Sequence, residues 1–443
     1  MEGTLLKTGQ SLRSDLGTSC VVREFLGGGG QGEVYRSSWG GRDVALKWYF
    51  RAQATGEQAA ALELLVARGA PDGRFLWPLD LVRHRDVGGF GYLMPLRHAA
   101  LRSINDIMKR RAEPSFRALA TAGFELADSF LNLHTRGLCY RDISFGNVFL
   151  DPDTGHVAIC DNDNVAVNGT ATTGVLGTPR FMAPEIVRGE ASPSTSTDLF
   201  SLAVLLFYLF MMHHPLEGQR ESAIRCLDLP AMNRLYGQEP LFVFDPRDPR
   251  NRPDPRYHQN ALLFWPLYPG WFRELFERSF TEGLVDPLHG RVRESEWRSA
   301  TLALRDSLVY CAACGAENAA EDPEHPLTCW SCGSRVSMPL RLELERKTVY
   351  LNSDTRIYPW HVRRDPSFDF SRPVGEVGQN PQHPRLWGLR NTSETPWVAT
   401  FPDGTLRDVP PERSVRLSPG VRINFGESEG VLRGAPEAPG VSA

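Results

Sequence analysis

Tyr140-Arg141-Asp142-Ile143-Ser144-Phe145-Gly146-Asn147-Val148-Phe149-Leu150, followed by Val157-Ala158-Ile159-Cys160-Asp161, decides how this chain is read. In the first stretch an aspartate precedes an asparagine by five residues on what reads as one loop. A carboxylate and an amide oxygen can then serve one centre. The carboxylate can accept a proton from a hydroxyl, and the amide oxygen is a hard donor suited to magnesium. In the second stretch an apolar strand ends in Asp161, a second oxygen ligand for the same ion.

Upstream, Leu26-Gly27-Gly28-Gly29-Gly30-Gln31-Gly32-Glu33-Val34 contains G-x-G-x-x-G-x-V. Alone the pattern is weak, because glycine runs also occur in plain hairpins. Its chemistry is that Gly27, Gly29, Gly30 and Gly32 let backbone N–H groups approach phosphate oxygens with no Cβ in the way. Lys47 closes Val44-Ala45-Leu46-Lys47 after a strand-like run, where an ammonium can hold phosphates as a point charge. Glu63 lies 16 residues further on, on a helix that Thr55-Gly56-Glu57-Gln58 begins as a capping box and Gly69 ends. A carboxylate on that helix can fix the lysine by an ion pair. Glu57 is the competitor, but an acid in the first turn is explained by the helix dipole. Downstream stand Gly177-Thr178-Pro179-Arg180-Phe181-Met182-Ala183-Pro184-Glu185. Any one of these charges would read as a solvated surface residue; the order in which they occur favours a site.

From about residue 20 to about 308 this order of motifs resembles the eukaryotic-like, Hanks-type protein kinases, including the bacterial Ser/Thr kinases. The resemblance implies a bilobal kinase-like fold and ATP- and magnesium- (or manganese-) dependent transfer of the γ-phosphoryl group to protein hydroxyls, autophosphorylation included. It implies that Gly27 to Val34 cover the phosphates and that Lys47 and Glu63 form the strand–helix pair. Ala45 and a hinge over Tyr92 to Leu96, with Met94, Pro95 and Leu96, would hold the adenine. Asp142 would take the hydroxyl proton, and Asn147 and Asp161 would bind magnesium. Thr178 would face the substrate, Glu185 would pair with Arg291, and Asp198 would tie down the catalytic loop. Arg141 suggests a loop awaiting a phosphate, with Thr170, Thr172 and Thr173 as acceptors and Thr178 a weaker one.

Three positions depart from the family. Tyr140 stands where most members carry His. Asp161-Asn162-Asp163 replaces Asp-Phe-Gly. Ser144 takes the place of a lysine beside the γ-phosphate, a loss worth several kcal/mol of transition-state stabilisation. These departures carry the alternative reading, a pseudokinase or nucleotide-binding signalling scaffold.

Cys311-x-x-Cys314 and Cys329-x-x-Cys332, each followed by glycine, read as a closed structural zinc ribbon. Cys20, Cys139, Cys160 and Cys226 read as buried thiols. His213 and His214 read as capping or solvated residues. From Val349 onward, TVYL, WGLRN, WVATF, SVRLS and VRINFG alternate with turn residues, the pattern of a small all-β domain. Its histidines, His361 and His383, read as surface residues. Its last strands faintly resemble those of forkhead-associated domains, without the residues that read phosphothreonine.

Across its 443 residues the net charge is −4 with acids and bases interleaved, which argues against a nucleic-acid or membrane partner, while the kinase resemblance implies a protein substrate or signalling partner. Leu199 to Met212 is too short to span a bilayer, and the N-terminus lacks a secretory pattern, so the expected location is the cytoplasm. The fold expected is multidomain α+β: kinase lobes at 1–97 and 98–308, a zinc ribbon at 309–340, a sandwich-like all-β domain at 345–431 and a flexible tail at 432–443. The Pro-, Arg- and Asp-rich segment 226–260 reads as a long loop and a docking element.

Overall fold

The computed structural model describes residues 5–84, 87–170, 177–322, 325–364, 368–380 and 382–434. The chain divides into two compact units. The first comprises Met1–Pro114, Thr121–Phe264 and Glu274–Arg298, and the second Ser115–Ala120, Trp265–Arg273 and Ser299–Ala443.

The first unit begins with alternating apolar and polar residues, which build a closed antiparallel barrel. Its strands are β1 (Ser11–Ser14), β2 (Ser19–Gly28), β3 (Gly32–Trp39), β4 (Arg42–Tyr49), β5 (Asp80–Arg83) and β6 (Phe90–Pro95), in the order β1-β2-β3-β4-β6-β5. Arg13 and Ser14 pair with Arg83 and Val82 and close the ring. Cys20, Val22, Tyr35, Leu46, Val82 and Leu93 fill its interior. Helix α1 (Gly56–Arg68) packs Ala59 and Leu62 against Ala45, Tyr49, Leu81 and Tyr92 of the sheet. Gly69, at φ 70°, ends it.

The rest of this unit is mainly helical. Helix Thr195–Met211 is apolar on every side and almost wholly buried, as a central helix must be. Ser194 and Thr197 cap it reciprocally. Segment 226–260 is not the long loop expected. It carries an α-helical turn at Leu229–Met232 and a π-helical turn at Asn233–Gln238. Phe242 and Val243 are fully buried, and Phe242 meets Phe207 and Phe280 at ring distances of 5.7 and 5.3 Å. Apolar residues between the prolines and arginines anchor it to the core. Two further expectations change here. Cys226 is exposed, and His214 is buried with its ring bonded to the Arg180 carbonyl at 2.8 Å, while His213 bonds the Glu217 carbonyl at 2.6 Å.

In the second unit a hairpin (Leu308–Tyr310 with Glu317–Ala319) carries the first cysteine pair. An all-antiparallel two-sheet domain follows. One sheet orders Lys347–Tyr350, Arg341–Leu344, Glu429–Arg433, Arg422–Asn424, Trp397–Thr400 and Leu406–Val409. The other orders Arg356–Ile357, Gly375–Asn380, His383–Asn391 and Ser414–Arg416. Leu342, Leu389, Trp397, Ile423 and Leu432 form part of the shared core. The β structure is thus wider than 345–431, because Arg341–Leu344 and Leu432 are built into it. His361 is buried, accepting from the Tyr358 N–H at 3.0 Å, whereas His383 is exposed. Among the described residues no helix is long and apolar enough to cross a membrane.

Candidate active site

Three elements of the first unit converge on a cleft of about 790 Å³. Its roof is the turn between β2 and β3. Gly27, Gly29, Gly30, Gly32 and Val34 line it, and the Gly29 N–H bonds the Gly32 carbonyl at 2.9 Å. Gly32 has a steric reason of its own: a Cβ there would lie 2.2 Å from the Trp48 carbonyl oxygen. Ala45, Met94, Pro95 and Leu96 line the apolar end. Tyr92 and Leu93, counted within the expected hinge, are instead fully buried strand residues. The Arg97 guanidinium lies 4.0 Å over the Phe149 ring at the same end, a feature the sequence reading missed.

Asp142 and Asp161 line the floor, and Asn147 is buried beside Asp142. Asn147 donates to the Asp142 backbone oxygen at 2.9 Å and to its carboxylate at 3.1 Å. Thr178 donates to the other Asp142 oxygen at 2.7 Å, so its hydroxyl orients that carboxylate. Asp198 accepts from the Tyr140 and Arg141 backbone N–H groups at 2.5 and 3.0 Å, the anchor that the motif order anticipates. Beneath it His134 bonds Asp198 at 3.1 Å and also Glu294. Burial alone would lower the pKa of His134, but the two carboxylates outweigh it and push it up to about 9. Tyr140, in place of the usual His, donates its hydroxyl to the Cys160 carbonyl. Glu185 and Arg291 meet at 2.8 Å.

Arg141 (φ 73°) and Asp161 (φ 50°) hold left-handed backbone, strain of the kind that concentrates at functional sites. Among the described residues Arg141 forms no ion pair; its side chain donates to the Asn164 carbonyl. Thr170 is exposed, and Thr172 and Thr173 lie outside the described residues. Ser144 is buried.

Lys47 departs most from expectation. Its ammonium meets Asp163 at 2.8 Å, Gln31 at 2.9 Å and Asp161 at 3.4 Å. Burial works to lower its pKa, yet Asp163 and Asp161 hold it above the ordinary lysine value. Glu63 is not its partner. That carboxylate is exposed and pairs with Arg83 at 2.8 Å. The physical reason is helical phase: Leu62 faces the sheet, and the next residue is turned about 100° away. Glu57 is exposed as well. The α1 residue that reaches the site is Gln58, whose amide donates to the Tyr49 hydroxyl and to the Asp163 carbonyl, each at 3.2 Å. Asn162 is buried and bonds back to the Ile159 carbonyl at 2.9 Å.

In the second unit the Sγ atoms of Cys311, Cys314, Cys329 and Cys332 lie within 4.8 Å of one another, and none is in a disulfide. Two of the separations are 3.7 and 3.6 Å. A tetrahedron with metal–sulfur bonds of about 2.3 Å requires about 3.8 Å between sulfurs. Two equivalent turns present them. The Gly315 N–H bonds the Cys311 carbonyl at 2.8 Å and the Gly333 N–H bonds the Cys329 carbonyl at 2.9 Å, with φ at 75° and 72°.

With this geometry in place the comparisons with known proteins are direct. Residues 20–239 match the protein kinase domain. This stretch, just under half of the chain, is thus similar to the protein kinase domain. The chain is 30% identical over 233 residues to the DNA damage-responsive serine/threonine-protein kinase RqkA of Deinococcus radiodurans, covering 51% of this chain and 33% of that one. It is 36% identical over 131 residues to mouse protein kinase C delta type, covering 27% and 19%. It is 29% identical over 209 residues to the serine/threonine-protein kinase PknK of Mycobacterium bovis, covering 45% and 18%. The chain thus spans a third or less of the length of these curated relatives. The kinase match stops well before the cysteine cluster and the two-sheet domain.

Proposed function

We propose that this protein transfers the γ-phosphoryl group of ATP to serine or threonine hydroxyls of a protein, its own loop after Asn168 included. The observation that carries this reading is the grouping of Asp142, Asp161 and Lys47 in one cleft beneath the glycine turn, with Asn147 bonded to Asp142. Asp142, oriented by Thr178 and Asn147, takes the hydroxyl proton. Gly27 to Val34 cover the phosphates and Lys47 holds them, while Ala45, Met94, Pro95 and Leu96 enclose the base. Asn147 and Asp161 offer hard oxygen donors that fit magnesium or manganese, since the Asn147 amide nitrogen is engaged by Asp142. When bound, such an ion neutralises charge on the phosphates. Arg141, lacking an ion pair among the described residues, is suited to a phosphorylated Thr170 or a neighbouring threonine. The four cysteines hold one structural zinc, and the two-sheet domain recruits a protein partner. Segment 226–260, anchored by Leu235, Tyr236, Phe242 and Val243 but exposed at Leu229 and Tyr257, is a docking element for a protein partner.

The test is intact mass of the purified chain after incubation with Mg-ATP, beside Asp142→Asn treated identically. Phosphate added to the parent alone is the expected result. The second reading, a nucleotide-binding scaffold, is favoured by the buried Ser144 in place of a cation. It predicts nucleotide binding with no phosphate on the parent or on a general protein acceptor.

A further inference from the structure

Lys47 is 5% exposed, and an ammonium so placed needs a standing counter-charge. It has three protons to donate, and three groups receive them: Gln31, Asp161 and Asp163. These acceptors are not equivalent. Gln31 sits on the glycine turn that must accommodate phosphates. Asp161 lies further away and is the residue read above as a metal ligand; nearly half of its side chain is exposed (44%). Asp163 has no exposed side-chain surface. The Tyr49 hydroxyl donates to the same oxygen that holds Lys47, and the Asp163 backbone carbonyl is held by Gln58. Its other carboxylate oxygen is buried with no hydrogen-bond partner among the described residues, and Lys47 and Tyr49 hold the carboxylate through the first. On α1 no acid faces this point.

We propose that Asp163 is the positioning residue of Lys47, the fixed counter-ion that holds its ammonium in the cleft in place of a carboxylate on α1. The inference rests on the nucleotide-site reading above. When phosphates enter, Gln31 and Asp161 give way, and Asp163 keeps the lysine aimed. The counter-charge therefore comes from the same triplet as the metal ligand. Helix α1 reaches it through the neutral amide of Gln58. The lysine of this kinase is set without any movement of α1, and a carboxylate at position 58 would serve as a substitute anchor.

The experiment uses the full chain as parent, Asp163→Asn, Glu63→Gln, and Asp163→Asn with Gln58→Glu. Dissociation constants for Mg-ATP are measured by calorimetry, separately from KM and kcat for phosphoryl transfer, with melting temperature as a check on folding. Asp163→Asn should weaken Mg-ATP binding about tenfold and lower kcat as well, the effect of removing one partner of a buried charge pair. Glu63→Gln should stay within about twofold of the parent, and the double variant should recover most of the lost affinity. Should Asp163→Asn not fold, Tyr49→Phe removes only the hydroxyl that holds Asp163, and a weakening of about threefold is expected. The proposal is overturned if whichever of these two variants folds binds like the parent, or if Glu63→Gln loses as much as Asp163→Asn. A loss that Gln58→Glu does not recover at all assigns Asp163 to folding and overturns it too. A parent that binds Mg-ATP but transfers no phosphate sinks the kinase reading alone, because affinity still decides the role of Asp163. A parent that binds no Mg-ATP sinks both.

Discussion

Asp142 is held by two side chains, and their contributions can be separated. Thr178→Ala removes a hydrogen bond to the carboxylate and should lower kcat about tenfold with little change in KM for ATP, while Thr178→Ser should keep most of the rate. His134 gives the pH dependence. Its charged form is favoured in the fold, with a pKa pushed up to about 9 against an ordinary 6.5. Its contribution is complete below pH 6.5 and is lost as pH rises through about 9, a difference of about 3 kcal/mol. Urea unfolding across that range should show stability falling with pH in the parent, and His134→Gln should flatten the slope. At this scale the sequence singled out Lys47, Asp142, Asn147 and Asp161, because their spacing along the chain is their signal. It did not disclose the partner of Lys47. The signal was present in the helix, where Ala59, Leu62 and Leu65 make the buried stripe and Glu63 falls off it. Asp163 was visible only as a departure from Asp-Phe-Gly. That an acid 116 residues away would answer the lysine depends on where the chain folds back.

Short elements here carry more than their own capping. Thr55 accepts the Gln58 N–H at 3.1 Å, one half of the capping box, but the Gln58 side chain is drawn to Tyr49 and Asp163 instead of back to the cap. A local pattern has been redirected by a tertiary contact that also satisfies the amide. The cysteine turns show the opposite case. Their C-x-x-C-G pattern was fully legible, because Gly315 and Gly333 adopt left-handed φ that other residues reach only with strain. One zinc per chain is expected by metal analysis, absent after Cys329→Ser. Gly333→Ala should retain zinc with an affinity lower by about 1 kcal/mol, read by competition with a chelating dye.

Over the whole molecule, segment 226–260 tests what composition can say. Phe242→Ala should destabilise the first unit by about 3–5 kcal/mol, since a fully buried ring contacting Phe207 and Phe280 leaves a cavity. Trp397→Ala should do the same in the second unit, where that indole meets Phe425 at 4.9 Å. Chemical denaturation followed by probes in each unit would register the two losses separately. By itself the sequence determined strands β2 to β4, helix α1, the central helix, the cysteine turns and the order of the kinase-like motifs, because these rest on period, turn chemistry and spacing between near neighbours. Only the tertiary structure decided that Asp163 answers Lys47, that Thr178 orients Asp142, that His134 bonds Asp198 and that a proline-rich segment sends Phe242 and Val243 into the core. Each of these joins groups dozens of residues apart whose meeting is fixed by packing, and no local rule encodes it.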